Sequence, residues 1–143
     1  MPDPTGPYKK AIHLFNPAGL YDPVPNGYSH GATVPAGVRL VLLSGQGGED
    51  QAGVLREGYA AQLRQSLDNM MLALAAAGAG PEHVARLLVL VVDHDEQKLH
   101  QLGAEFDRIW GDRMKPACTL VPVPRLALDG MLVEIEATAA VEA

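Results

Sequence analysis

Pro116-Ala117-Cys118-Thr119-Leu120-Val121, followed after a break from Pro124 to Gly130 by Leu132-Val133-Glu134-Ile135-Glu136-Ala137, reads as two short strands close together in the chain. Side chains alternate across a strand with a period of two. Cys118 and Leu120 therefore share one face of the first strand, and Thr119 and Val121 the other. On the second strand Glu134 and Glu136 share a face, opposite Val133, Ile135 and Ala137. Two carboxylates on one strand face, next to the strand that carries the only cysteine, make this pair the first place to look for chemistry.

Working outward, Val84 to Val92 is an almost unbroken apolar run and reads as a strand buried on both faces. Before it, Gly58 to Ala77 repeats Tyr59, Leu63, Leu67, Met70, Met71 and Leu74 at spacings of three and four, the stripe of an amphipathic helix. Gly78 and Pro81 supply its stop. After the run, Asp95 to Trp110 predicts a second helix, with Asp95 as N-cap and Leu99, Leu102, Phe106 and Ile109 on one side. Upstream, Tyr28 to Pro35 and Val38 to Ser44 read as strands of a hairpin around Pro35-Ala36-Gly37. Residues 1–27 hold six of the chain's 11 prolines and read as an irregular arm ahead of a single domain, 28–143. The order strand, strand, helix, strand, helix, strand, strand fits an α+β domain, a sheet with both helices on one face.

The chain has 143 residues, a length for one domain, and a domain of this size buries roughly 68% of the surface its unfolded chain exposes. One cysteine allows no intrachain disulfide and fits a reducing compartment. The N-terminus lacks the basic-then-apolar pattern of a secretory signal. No run approaches the ~18 apolar residues of a membrane span. A cytoplasmic location is the expectation. With 11 Lys and Arg against 17 Asp and Glu, the net charge of −6 opposes attraction to nucleic acid or anionic membrane. No basic cluster with interleaved aromatics appears either. His94 and His100 do not share a helix face, and the Cys/His spacing matches no zinc pattern, so neither a metal nor an organic cofactor is expected.

Six segments in order resemble the Rid family (YjgF/YER057c/UK114, reactive intermediate deaminases): Gly27-Tyr28-Ser29-His30, Leu43-Ser44-Gly45-Gln46, Ala61-Gln62 to Asp68-Asn69, Ala77-Gly78-Ala79 through Asp93, Pro116-Ala117, and Leu132 to Ala137. The resemblance implies a chorismate-mutase-like, mostly antiparallel six-stranded sheet with two helices on one face. It also implies a homotrimer with pockets between neighbouring subunits. Glu136 matches the family's acid/base, which positions and activates water on a C=N carbon. Tyr28 matches a pocket tyrosine, and Ser44 and Gly45 a strand end that contacts ligand.

The chain departs from the pattern at one position. Deaminating relatives read Pro-Ala-Arg, and that Arg holds the substrate carboxylate; here the residue is Cys118. A thiol cannot replace a bidentate, charge-assisted pair. The expected ligand is therefore neutral or cationic, or its anion is held elsewhere, with Arg39 and Arg125 as candidates. Cys118 and Leu120 are expected to face Glu136 across one cleft. Cys118 is either an inert packing thiol or a nucleophile, for which His30 beside Tyr28 is the candidate base. The function so implied is a cofactor-free hydrolase or deaminase acting on an imine, enamine or related metabolite other than a standard 2-imino acid. The alternative is a non-catalytic metabolite-binding or thiol-sensing protein of the same fold.

Overall fold

A computed structural model describes residues 12–143. It contains six strands: β1 (His13–Phe15), β2 (Gly31–Thr33), β3 (Val38–Leu42), β4 (Val84–Val92), β5 (Ala117–Val123) and β6 (Val133–Glu142). The two helices are α1 (Tyr59–Ala76) and α2 (Glu96–Trp110). The expected α+β class holds, but the six strands divide. Four form the main sheet in the order β3-β6-β4-β5, and β1 and β2 form a separate ribbon. β4 runs parallel to β5 and antiparallel to β6, so the main sheet is mixed.

Two expectations upstream of β4 need correction. β2 pairs with β1, in register Leu14 with Ala32, and β3 pairs instead with the last strand, Leu40 with Ala140. The two do not form a hairpin with each other. The arm expected over residues 1–27 is regular in its second half, because β1 and a 3-10 turn at Val24–Asn26 fall inside it. Residues 1–11 of that arm lie outside the described part. The ribbon is tied to the edge of the main sheet by a bridge from Ser29 to Ala117, with Ser29 N–H donating to Pro116 O over 3.1 Å.

The core lies between the helices and one face of the main sheet. Leu63, Leu67, Met70 and Leu74 of α1 are fully buried against Leu87, Val89 and Val91 of β4 and Val133 and Ile135 of β6. Leu102, Phe106 and Trp110 of α2 complete it. Each such side chain contributes about 1.5–3 kcal/mol through burial. α2 begins where Asp95 accepts a hydrogen bond from Lys98 N–H, the expected N-cap. It ends with Trp110 Nε1 donating to Pro81 O over 3.0 Å, which fixes the helix to the turn that starts β4.

Two polar side chains of α1 hold the loops over its outer turns. Gln62, almost fully buried, donates to Arg56 O and Gly130 O, both at 3.0 Å, and accepts from Leu132 N–H at 2.8 Å. Asn69 donates to Gly47 O and Glu49 O. The loop approaches so closely that a Cβ at Gly48 would lie 2.6 Å from Gln62 Cα. Gln62 thus ties the loop after β3 and the loop before β6 to one helix turn. Replacing Gln62→Leu removes three hydrogen bonds to loop backbone and leaves an apolar side chain facing them, and is expected to lower unfolding free energy by roughly 1–3 kcal/mol in urea titrations. A loss below about 0.5 kcal/mol would show that the loops are held by something else.

Candidate functional site

The ladder decides which predicted residues meet. Directly paired residues point to the same side of a sheet. Leu87 of β4 pairs with Cys118 on one side and with Ala137 on the other. Leu88 pairs with Thr119 and with Glu136. Leu87 and Ala137 are core residues, so Cys118 and Leu120 turn toward the helices. Glu136 turns away from them, onto the open face. The single cleft expected to hold thiol and carboxylate within one subunit is therefore not formed.

The predicted residues instead fall into two groups. In the first, Tyr28, Cys118 and Leu120 line a cavity of about 350 Å³ together with Leu99, Leu102 and Phe106 of α2. Burial pushes the Cys118 thiol up to about 12, because a thiolate there would lose its hydration with no cation to replace it. A thiolate nucleophile needs the opposite environment. His30 is no base for it. Its Nε2 is 2.8 Å from Tyr21 O, and its ring stands edge-on to both Tyr21 and Tyr28. The hydroxyls of Tyr21 and Tyr28 are hydrogen-bonded to each other.

In the second group, Glu136 is exposed on the open face, where Arg86, Leu88, Glu136 and Thr138 surround a recess of about 160 Å³. Ser44 and Gly45 belong here. Leu43 N–H donates to Ala137 O at 3.0 Å, and Gln46 N–H to Ile135 O at 2.7 Å. Between those bonds Ser44 and Gly45 together oppose the single residue Glu136, an irregularity of the kind a β-bulge produces. Gly45 has no side chain for a steric reason, since a Cβ there would collide with the Glu134 carboxylate.

Arg86 is the residue the sequence reading missed. It pairs with Thr138, two positions from the Leu88–Glu136 pair, and so shares the open face with Glu136. A guanidinium thus lies on the Glu136 face although none stands at position 118. Neither candidate named for that role fills it. Arg39 donates to Ala77 O at 2.9 Å, closing the end of α1, and Arg125 pairs with Asp129 at 2.8 Å within its own loop. Reading β4 as buried on both faces concealed Arg86. The basic residue at the start of an otherwise apolar run was the available signal. Among the described residues no group of three or more His, Cys, Asp or Glu is placed to hold a metal ion, and no helix is long and apolar enough to cross a membrane.

A two-layer α+β domain with an acidic residue on its open sheet face is the class these features define. The chain belongs to the Rid (YjgF/YER057c/UK114) family: the family model described as Endoribonuclease L-PSP matches residues 22–141. Among solved structures, it is similar to the Rid-family protein YyfB of Yersinia pestis, described as of unknown function. The identity is 32% over 92% of this chain and 99% of that one, with a TM-score of 0.86. It is also similar to a YjgF/YER057c/UK114-family member from Mycobacterium tuberculosis, at 28% identity over 91% and 99% of the two chains, with a TM-score of 0.60. No curated protein matches.

Two results are expected at Cys118. Native protein at pH 8 is expected to react with a thiol reagent on the order of a thousandfold more slowly than unfolded protein, the ratio of thiolate present at a pKa of about 12 and at the ordinary value of 9.0. Cys118→Arg is expected to lower Tm, because it turns a guanidinium toward Leu102 and Phe106. Fast native labelling, or an unchanged Tm in Cys118→Arg, would reverse this placement.

Proposed function

We propose that the protein is a homotrimeric, cofactor-independent enzyme that hydrolyses the C=N bond of a small imine, or of the imine formed from an enamine, with Glu136 as general acid/base. The supporting observation is the exposed carboxylate of Glu136 at a recess, opposite the Ser44-Gly45 strand end. Water adds to the imine carbon while Glu136 takes its proton. A C–O bond forms, that proton is passed to nitrogen to give a carbinolamine, and Glu136 then moves the hydroxyl proton to the same nitrogen as the C–N bond breaks, leaving a carbonyl and ammonia. Nucleophilic catalysis by Cys118 is not part of this reading, because burial disfavours its thiolate. Tyr28, Cys118 and Leu120 serve as an apolar wall.

The trimer supplies what one chain lacks. Tyr28, Cys118 and Leu120 lie on the helix side of the edge strand β5, and Ser44, Gly45 and Glu136 on the opposite face. A complete pocket forms when the open face of one copy meets the β5 edge of the next. That face is apolar enough to require a cover: Leu40 is 54% and Leu42 71% exposed. Ribonuclease action, suggested by the name of the matched family model, finds less support. A net charge of −6 opposes it, and the recess around Glu136 is small.

Ammonia release from imines generated in situ by an amino-acid oxidase tests the chemistry. Glu136→Gln is expected to lower kcat by roughly 10²–10⁴ with the fold intact, and retained turnover would remove the acid/base assignment. Mixing tests the assembly. Glu136→Gln and Leu120→Trp are each expected to be inactive alone. After co-refolding at equal amounts, about a quarter of the pockets would pair an intact wall with an intact carboxylate if assembly is heterologous and random. No recovery of activity would place both halves in one chain.

A further inference from the structure

We propose that the cavity between β5 and α2 is a specificity pocket for an apolar substituent on the imine carbon, a group of the size of a branched alkyl or phenyl. This rests on the proposed hydrolysis, and it gives Leu99, Cys118 and Leu120 the choice of substrate rather than a chemical step.

The cavity has the size and the lining for such a group. Cys118 is short and turns toward the helices, and the space over it is bounded by Leu99, Leu102 and Phe106 of α2 and by Leu120 and Tyr28. It holds about 350 Å³. An apolar cavity of roughly 150 Å³ is enough to bind benzene. None of the described residues that line it is charged. The Tyr28 hydroxyl already has the Tyr21 hydroxyl as partner. Burial raises the Cys118 thiol to about 12, so the sulfur stays uncharged at neutral pH. A charged group brought here would shed its hydration with no opposite charge in return. An apolar group gains by the same transfer.

The opposite surface suits the reacting bond instead. The pairing of β4 is irregular between Val84 and Arg86, and beyond it Arg86 and Leu88 share the open face with Glu136 and Thr138. Their recess is the smaller space, about 160 Å³, and two of its four residues are charged. The substrate is thus divided: its C=N group meets the carboxylate of one copy, and its apolar substituent enters the helix-side cavity of the next. Room for a longer substituent continues along α2. A neighbouring recess of about 360 Å³ shares Asn26, Gly27 and Leu99 with the first and reaches Gly103. Gly103 lies in the interior of α2, where glycine is unfavourable, yet a Cβ there would meet nothing within 4 Å. No contact among the described residues demands a glycine at this place, whereas an open passage does.

The test follows ammonia release from imines generated in situ from alanine, leucine, asparagine and phenylalanine by amino-acid oxidases. Leucine carries three more carbons than alanine, and each buried methylene is worth about fourfold in kcat/KM. The leucine imine is expected to exceed the alanine imine by about 50-fold. Asparagine matches leucine in shape but carries an amide, and its imine is expected to fall at least about tenfold below that of leucine. Leu99→Trp fills the cavity and is expected to bring the leucine-to-alanine ratio below about fivefold. Gly103→Leu is a filling variant that helix propensity favours, and it is expected to lower the phenylalanine-to-alanine ratio at least about fivefold. A ratio near one in wild type, an asparagine imine as good as that of leucine, or ratios unchanged in both variants overturns the pocket. A second measurement needs no turnover. Indole is expected to slow labelling of Cys118 by a thiol reagent at least about fivefold in wild type and to lose that effect in Leu99→Trp. No protection in wild type, as when a side chain of the neighbouring copy fills the cavity, also overturns it. If no imine is hydrolysed but indole protects Cys118 and Leu99→Trp abolishes the protection, the proposed chemistry fails and the apolar pocket stands.

Discussion

The pairing of β4 with both of its neighbours is the constraint on which the rest of the molecule depends. Leu87, Val89 and Val91 are fully buried between the sheet and the helices, and the ladder aligns them with Ala137, Ile135 and Val133 of β6. Because side chains alternate, a slip of one residue would carry this entire apolar set to the open face and pull Glu136 into the core. The loss of several buried branched side chains, at about 1.5–3 kcal/mol each, makes that slip prohibitive. Hydrophobic burial on one face thereby fixes the position of polar groups on the other. The carboxylate and the guanidinium are not held by interactions of their own. They are held because their neighbours in sequence cannot move.

This coupling also explains why α1 and its polar contacts matter to a carboxylate they never touch. Gln62 reaches from α1 to the backbone before β6, at Gly130 and Leu132, and to the backbone after β3, at Arg56. The strand ends carrying Ser44 and Glu136 are thus bounded by loops attached to one side chain. Asn69 extends the attachment to Gly47 and Glu49. The Gln and Asn quoted in the family resemblance act as fasteners of loops, remote from reacting atoms. At the same end of the sheet, where Val92 N–H donates to Leu132 O, the Lys98 ammonium donates to the carbonyls of Val92 and Asp93 and lies over the Tyr59 ring, closing β4 against α2.

Much of this was legible in the sequence where periodicity is strong. β4 runs from Val84 to Val92 as read, α1 and α2 follow their apolar stripes within a residue or two, and Asp95 caps as expected. The ribbon was not legible. β1 is three residues long, too short to show a period, and its partner lies beyond a stretch rich in Pro and Gly. The relation between Cys118 and Glu136 was hidden for a different reason. Alternation states which residues of one strand share a face, but it does not state how two strands are aligned. Cys118 and Leu120 do share a face, as do Glu134 and Glu136; the ladder sets these two faces opposite one another. Arg86 was lost because an apolar run suggested two buried faces, whereas only one is fully buried.

The bulge at Ala85 has a consequence for how such chains diverge. Upstream of it the even position Val84 faces the helix layer, near the turn on which Trp110 rests, and downstream the odd positions Leu87, Val89 and Val91 do. One surplus residue therefore works as a phase shifter. Losing that residue together with the bulge would leave Val84 on the helix side and Arg86 on the open face, so members of such a lineage can differ in length here and still present the same charge to a ligand.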